Sequence, residues 1–162
     1  LVAGHETTMA LVSNGLLALL RYPDQLDKLK KDPTLVDSAV EEFLRFDSPL
    51  QHQIRIADED FEMRGKGIKK GQRVVLMLGA ANHDPEMFPN PDQLDICRSP
   101  NRHLAFGLGK HFCIGAPLAR LEGHMVFAEI LRRFPTLKLE NEDIEWRIDT
   151  SMRNPKEMWV AF

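Results

Sequence analysis

Residues 114–134, IGAPLARLEGHMVFAEILRRF, put apolar side chains on two sides of one helix. Leu118, Leu121, Met125 and Ala128 make one face, and Val126, Phe127, Ile130 and Phe134 make another. A surface helix carries one apolar stripe, so a helix apolar on two sides is expected to be central and packed on both. Pro117 is tolerated because it falls in the first turn, where its missing N–H has no partner to lose. The rest of the chain must therefore supply packing partners. Residues 1–20 offer the longest one, a helix with Met9, Val12, Leu16 and Leu19 or Leu20 on a face, ended by Pro23.

Two further helices are expected at 23–31 and 35–46, the latter with Ala39, Val40, Phe43 and Leu44 apolar. From Gln51 the period changes from helical to alternating. Ile54 and Ile56, then Phe61 and Met63, then Val74, Leu76 and Leu78 read as short strands, with Gly65, Gly67 and Gly71 turning between them. Pro85, Pro89 and Pro91 open a long irregular segment reaching Arg102, and segments of that kind are often functional. The tail, 137–162, reads as short strands and loops. The class is mainly α with a small β portion, and 162 residues suffice for one core. The first helix begins at Leu1 without a cap or polar lead-in for its N–H groups, so the chain is expected to be the later part of a longer one.

Composition removes several functions. A formal net charge of −3 lacks the cationic field of a nucleic-acid-binding domain. Two cysteines, Cys97 and Cys113, cannot build a four-cysteine zinc site or a disulfide framework, although one disulfide between them stays open. No charged-then-apolar signal segment opens the chain. His5, Glu6, Thr7, Thr8, Ser13 and Asn14 make residues 1–20 a poor membrane span. No membrane association is expected.

The stretch FGLGKHFCIG, 106–115, carries the chemistry. A lone cysteine is ordinarily a buried structural thiol. Here Gly107 and Gly109 let the backbone turn tightly and approach a flat partner. Lys110, His111 and the N-terminal end of the following helix favour the anionic form of Cys113. A thiolate so supported is a nucleophile or a metal ligand. His111 and His103 are the candidate bases for the first role, which would make a cysteine-nucleophile hydrolase.

Phe106, Gly109, Cys113 and Gly115 form F-x-x-G-x-x-x-C-x-G, which resembles the haem-binding signature of the cytochrome P450 family, the haem-thiolate monooxygenases. Three other places agree in the same order. AGHETT, 3–8, is similar to the family's A-G-x-[DE]-T motif on the helix over the distal haem face. Ala3 and Gly4 would border the haem there, with Glu6 and Thr7 as the acid–alcohol pair delivering protons. EEFLR matches E-x-x-R, implying a buried structural ion pair of Glu42 and Arg45 joined by Arg98. Arg55 occupies the place of a strand arginine that holds a haem propionate, and His111 that of the other propionate contact. Phe106 would pack beside the sulfur, and residues 48–52 and 151–155 would border the substrate pocket.

The resemblance implies the C-terminal, haem-binding portion, 1–162, of a single P450 domain of bacterial soluble type. The implied cofactor is haem b with Cys113 as axial iron ligand, and O2 is the co-substrate. The expected reaction is reductive activation of O2 and insertion of one oxygen atom into a small organic substrate. The electrons would come from a ferredoxin- or flavodoxin-type partner meeting Lys110 and Arg102, in the cytoplasm. A peroxide-using or coupling member of the family, or an inactive haem-binding fragment, is the alternative expectation.

Overall fold

The structure, a computed structural model, describes residues 2–147 and 151–162. Leu1 and residues 148–150, which the first helix and the tail were expected to include, lie outside the described residues. Helix α1 (Val2–Arg21) stops one residue before Pro23, where Tyr22 leaves helical geometry, and Pro23 itself opens α2 (Pro23–Lys31). The Asp32 carboxylate then accepts the Thr34 N–H at 3.1 Å and its hydroxyl at 2.6 Å. That caps a single 3-10 turn, Pro33–Leu35, leading into α3 (Val36–Phe46).

Among the described residues the β portion consists of three separate two-stranded ribbons. Strand β1 (Gln53–Ile56) pairs antiparallel with β4 (Arg73–Leu76), with Arg55 opposite Val74. Between them β2 (Phe61–Met63) and β3 (Lys66–Ile68) form a hairpin. Its turn residues Arg64 and Gly65 both have positive φ, 49° and 77°, the geometry that matches strand twist in tight hairpins. The alternating pattern 74/76/78 suggested a strand through Leu78, and this is corrected. The strand ends at Leu76, and Leu78, buried at 5% exposure, opens the short helix α4 (Leu78–Ala81). The chain turns there because the Gly79 N–H donates to Gln51 O at 3.0 Å.

Residues 82–105 carry no strand or α-helix, yet Phe88, Leu94 and Ile96 are buried at 3%, 3% and 0% exposure. Helix α5 (Ala116–Arg133) follows, and β5 (Lys138–Leu139) pairs with β6 (Val160–Ala161). Among the described residues no helix is long and apolar enough to cross a membrane.

Helices α1, α3 and α5 meet around Leu11, Val40, Phe43 and Phe127, all at most 2% exposed. Two glycines set how closely they approach. A Cβ on Gly15 of α1 would lie 2.7 Å from Phe127 Cζ and 2.8 Å from Phe43 Cδ2. One on Gly123 of α5 would lie 3.1 Å from Val40 Cγ1 and 3.3 Å from Leu11 Cδ2. The Phe43 and Phe127 rings, 4.7 Å apart between centroids, fill the space beside Gly15.

Among the described residues the second long helix is packed on one face and not on the two expected. Both α1 and α3 lie on its Gly123–Phe127 side. Leu118, Leu121 and Met125 on the other side remain 57%, 56% and 58% exposed. The helix also starts at Ala116 rather than at Ile114, whose side chain is wholly exposed.

Gly15→Ala gains roughly 1 kcal/mol of helix propensity but drives a methyl into two rings, and overpacking of that kind costs ~1–3 kcal/mol. Denaturant unfolding of the intact protein should therefore show Gly15→Ala to be less stable than the parent.

Candidate functional site

Helix α3 carries two adjacent carboxylates that face different partners. Glu42 is wholly buried, as is Arg45. Arg45 donates to both Glu42 oxygens, Nε to Oε2 at 2.8 Å and Nη2 to Oε1 at 2.9 Å. Its remaining three N–H groups bond the carbonyls of Asn82 and Pro91, each at 2.9 Å, and of Gln93 at 3.3 Å, so the guanidinium is satisfied without water. Arg98 Nε reaches the same carboxylate at 3.1 and 3.2 Å, joined by Asn101 Nδ2 at 3.1 Å and the Asp95 N–H at 3.0 Å. The structure thus brings Glu42, Arg45 and Arg98 together. Asn82, also buried, donates to Ser48 Oγ at 2.7 Å and accepts the Leu104 N–H at 2.7 Å. Ser48, one of the residues expected to border a substrate pocket, is held inside this polar cluster instead.

Glu41 faces α5. Arg120 donates Nε and Nη2 to its two oxygens at 2.6 and 2.9 Å, and His103 Nε2 lies 3.1 Å from Oε2. The Ala105 N–H donates to His103 Nδ1 at 3.2 Å, which leaves the ring proton on Nε2, toward Glu41. Burial pushes the Glu41 carboxyl up, and the hydrogen bonds from Arg120 and His103, with the positive charge beside it, outweigh that, bringing the pKa from 4.5 to about 2. The Arg120 guanidinium sits 4.7 Å from the Phe106 ring centroid.

Cys113 lies where these elements converge. Gly107 and Gly109 both have positive φ, 71° and 74°, and the Cys113 N–H donates to Phe106 O at 2.9 Å. The turn itself therefore demands both glycines. The thiol is exposed and free, as is that of Cys97. It opens on a cleft of about 540 Å³ lying between the cysteine loop and the start of α1. Ala3, Gly4 and Thr7 line one wall, and Phe106, His111 and Cys113 line another. Pro49, Leu50 and Gln53 complete the rim. Gly4 has no atom within 4 Å of where a Cβ would stand, so the cleft is open over α1.

The other expected residues are less direct. Thr7 Oγ1 donates to Ala3 O at 2.7 Å, the local back-bond anticipated for a helical threonine. Glu6 is exposed and is not part of the cleft wall. Arg55 is not part of it either. Its guanidinium bonds Ile54 O at 2.9 Å and Gln53 Oε1 at 2.8 Å, so it stands one side chain behind the rim. Sequence reasoning passed over Glu41 and Arg120. The signals were the doubled glutamate in EEFLR and an arginine two turns beyond the cysteine.

The donor set suits a ligand that brings most of its own coordination. Among the described residues no group of three or more His, Cys, Asp or Glu could hold a bare metal ion. One thiol in a largely apolar cleft, with His111 on the wall and Lys110 beside it, fits a flat apolar macrocycle carrying a metal and anionic edges.

The sequence model of the cytochrome P450 family matches residues 1–161. The biotin biosynthesis cytochrome P450 of Bacillus subtilis is 52% identical over 90% of the chain and 36% of that relative. The polyketide biosynthesis cytochrome P450 PksS of the same species is 47% identical, over 99% of the chain and 40% of the relative. The crystal structure of P450BioI with an acyl carrier protein ligated to hexadec-9Z-enoic acid superposes with a TM-score of 0.97 at 48% identity. That match covers 99% of this chain and 42% of the solved one. The chain thus spans about 40% of the length of the relatives it matches.

Glu41 also gives a pH prediction. Its pKa is depressed on folding, so the folded state binds that proton less readily than the unfolded chain. The stabilisation is complete above the ordinary value of 4.5 and is lost as pH falls toward about 2. Unfolding midpoints of the intact protein measured from pH 6 to pH 2 should fall, and Glu41→Gln should make that fall shallower.

Proposed function

Because the chain belongs to the cytochrome P450 family, we propose that it is the haem-binding portion of a haem-thiolate monooxygenase acting on a small organic substrate. One observation carries the reading: the thiol of Cys113 opens on an apolar cleft whose facing wall is the Ala3–Gly4–Thr7 stretch of α1. That it forms part of a larger P450 domain agrees with the exposure of the apolar side chains Leu121 and Met125 outside the cleft.

When bound, a thiolate-ligated haem b supplies reductive activation of O2, the thiolate pushing electron density that favours O–O cleavage. The residues of this chain do the rest. Cys113 provides the ligand, and Gly107 and Gly109 shape the loop that presents it. His111, on the wall, would hold one propionate of a bound haem, and Arg55, on releasing Gln53, would hold the other. Ala3 and Gly4 leave the cleft open beside α1, where O2 and substrate would enter. Thr7 keeps its hydroxyl proton on Ala3 O and offers lone pairs to the cleft, and rotation about Cβ–Oγ1 turns the same group into a donor. Glu6, exposed at the neighbouring position, replenishes that proton from solvent. A hydroxyl so placed favours the O2 route over peroxide-driven turnover, which draws less on protons from the chain. Glu42, Arg45 and Arg98 hold the fold around the loop and take no part in turnover. Exposed Lys110 and Arg102 offer cations to an acidic ferredoxin- or flavodoxin-type electron donor.

The test is Cys113→Ser in the full-length protein. The expected result is loss of the thiolate-type CO-difference spectrum given by the parent. Retention of that spectrum would remove Cys113 as the ligand.

A further inference from the structure

We propose that Glu41, Arg120 and His103 form a positioning strut that clamps the Phe106 ring and, through it, fixes the setting of Cys113. The inference rests on the haem-thiolate reading of Cys113 and assigns the strut a part in tuning that ligand.

Phe106 is tied at both its ends, to the cysteine through its backbone and to Arg120 and His103 through its ring. Its carbonyl accepts the Cys113 N–H at 2.9 Å. Its ring lies on the Arg120 guanidinium at 4.7 Å and against the His103 ring at 5.9 Å, tilted by 52°. Neither neighbour is free to drift. The Glu41 carboxylate takes Arg120 through a two-pronged bond and His103 through Nε2. Glu41 in turn is fixed on α3, one residue from the wholly buried Glu42. Three elements thus meet at one ring: α3 through Glu41, α5 through Arg120, and the segment before the loop through His103.

The Arg120 and Glu41 side chains are 39% and 28% exposed, so solvent screens the pair and its share of global stability is modest. The larger consequence is local. The guanidinium is a fixed positive charge beside the cysteine loop, held on firmly by the Glu41 hydrogen bond and also favoured by charge at Cys113. A cation there opposes electron donation from the thiolate, so its removal makes the iron harder to reduce.

The experiment uses the full-length, haem-loaded protein with Arg120→Leu, Arg120→Lys, Glu41→Gln and the double variant Glu41→Gln/Arg120→Leu. The readout is the haem reduction potential, with the thiolate-type CO spectrum confirming that the ligand is kept. Arg120→Leu should shift the potential negative. Arg120→Lys, which keeps the charge without the planar fork, should recover part of the shift. Glu41→Gln should shift the potential in the parent and shift it less once Arg120 is leucine, because the Arg120 half of its hold on Phe106 is then already lost. Should Arg120→Leu fail to retain haem, Arg120→Lys provides the background for the same comparison. An unmoved potential in the Arg120 variants with a normal CO spectrum overturns the strut, as does an equal effect of Glu41→Gln in both backgrounds. Absence of the thiolate spectrum in the parent instead overturns the haem reading, and the strut with it.

Discussion

A carboxylate without access to water organises this fold. Glu42 would be costly to bury alone, and an unpaired buried charge of that kind costs several kcal/mol. The structure gives it donors from Arg45, Arg98, Asn101 and the Asp95 backbone. Three of those four come from the segment that has no helix or strand of its own. That segment is also held by Phe88, Leu94 and Ile96, by Asn82 on Ser48 and by His103 on Glu41, so satisfying Glu42 fixes its middle, between those outer contacts. Arg45 extends the effect by using its other N–H groups on the carbonyls of Asn82 and Pro91. Asn82 passes it on to Leu104, three residues before the first glycine of the cysteine loop.

Helix α3 therefore works through neighbouring side chains that diverge. Glu42 turns toward the irregular segment, and Glu41 turns toward α5 and the ring of Phe106. Val40 and Phe43 of the same helix close onto Gly123 and Gly15. One eleven-residue helix thus joins the apolar core, the buried ion pair and the loop bearing Cys113. A haem-thiolate site benefits from such a scaffold because the pose of its ligand is set by rigid elements and not by the loop alone.

Much of this was legible in the sequence, for reasons that can be named. Helix ends followed proline, since Tyr22-Pro23 and Asp32-Pro33 forbid continuation whatever the tertiary context. The family showed itself in the spacing around Cys113 and in AGHETT and EEFLR. What escaped was whatever depended on distant partners. Leu78 has the right period for a strand, but the bond from Gly79 to Gln51 turns the chain. Leu118 and Leu121 have the right period for burial, yet both partner helices occupy the opposite side of α5. Gly15 and Gly123 look like weak points of their helices until the rings and methyls packed on them are seen. Glu41 and Arg120 lie 79 residues apart, beyond the reach of any local pattern.

The central claim is that the cysteine loop takes its position from Glu42 through a continuous set of buried polar contacts. Native-state hydrogen exchange of the intact protein carrying Glu42→Gln tests it most directly. The account predicts that the amides of Asp95, Leu104 and Cys113 lose protection together, while those of α1 and α5 beside Gly15 and Gly123 keep theirs. Faster exchange confined to Asp95, with Leu104 and Cys113 protected as in the parent, would contradict it.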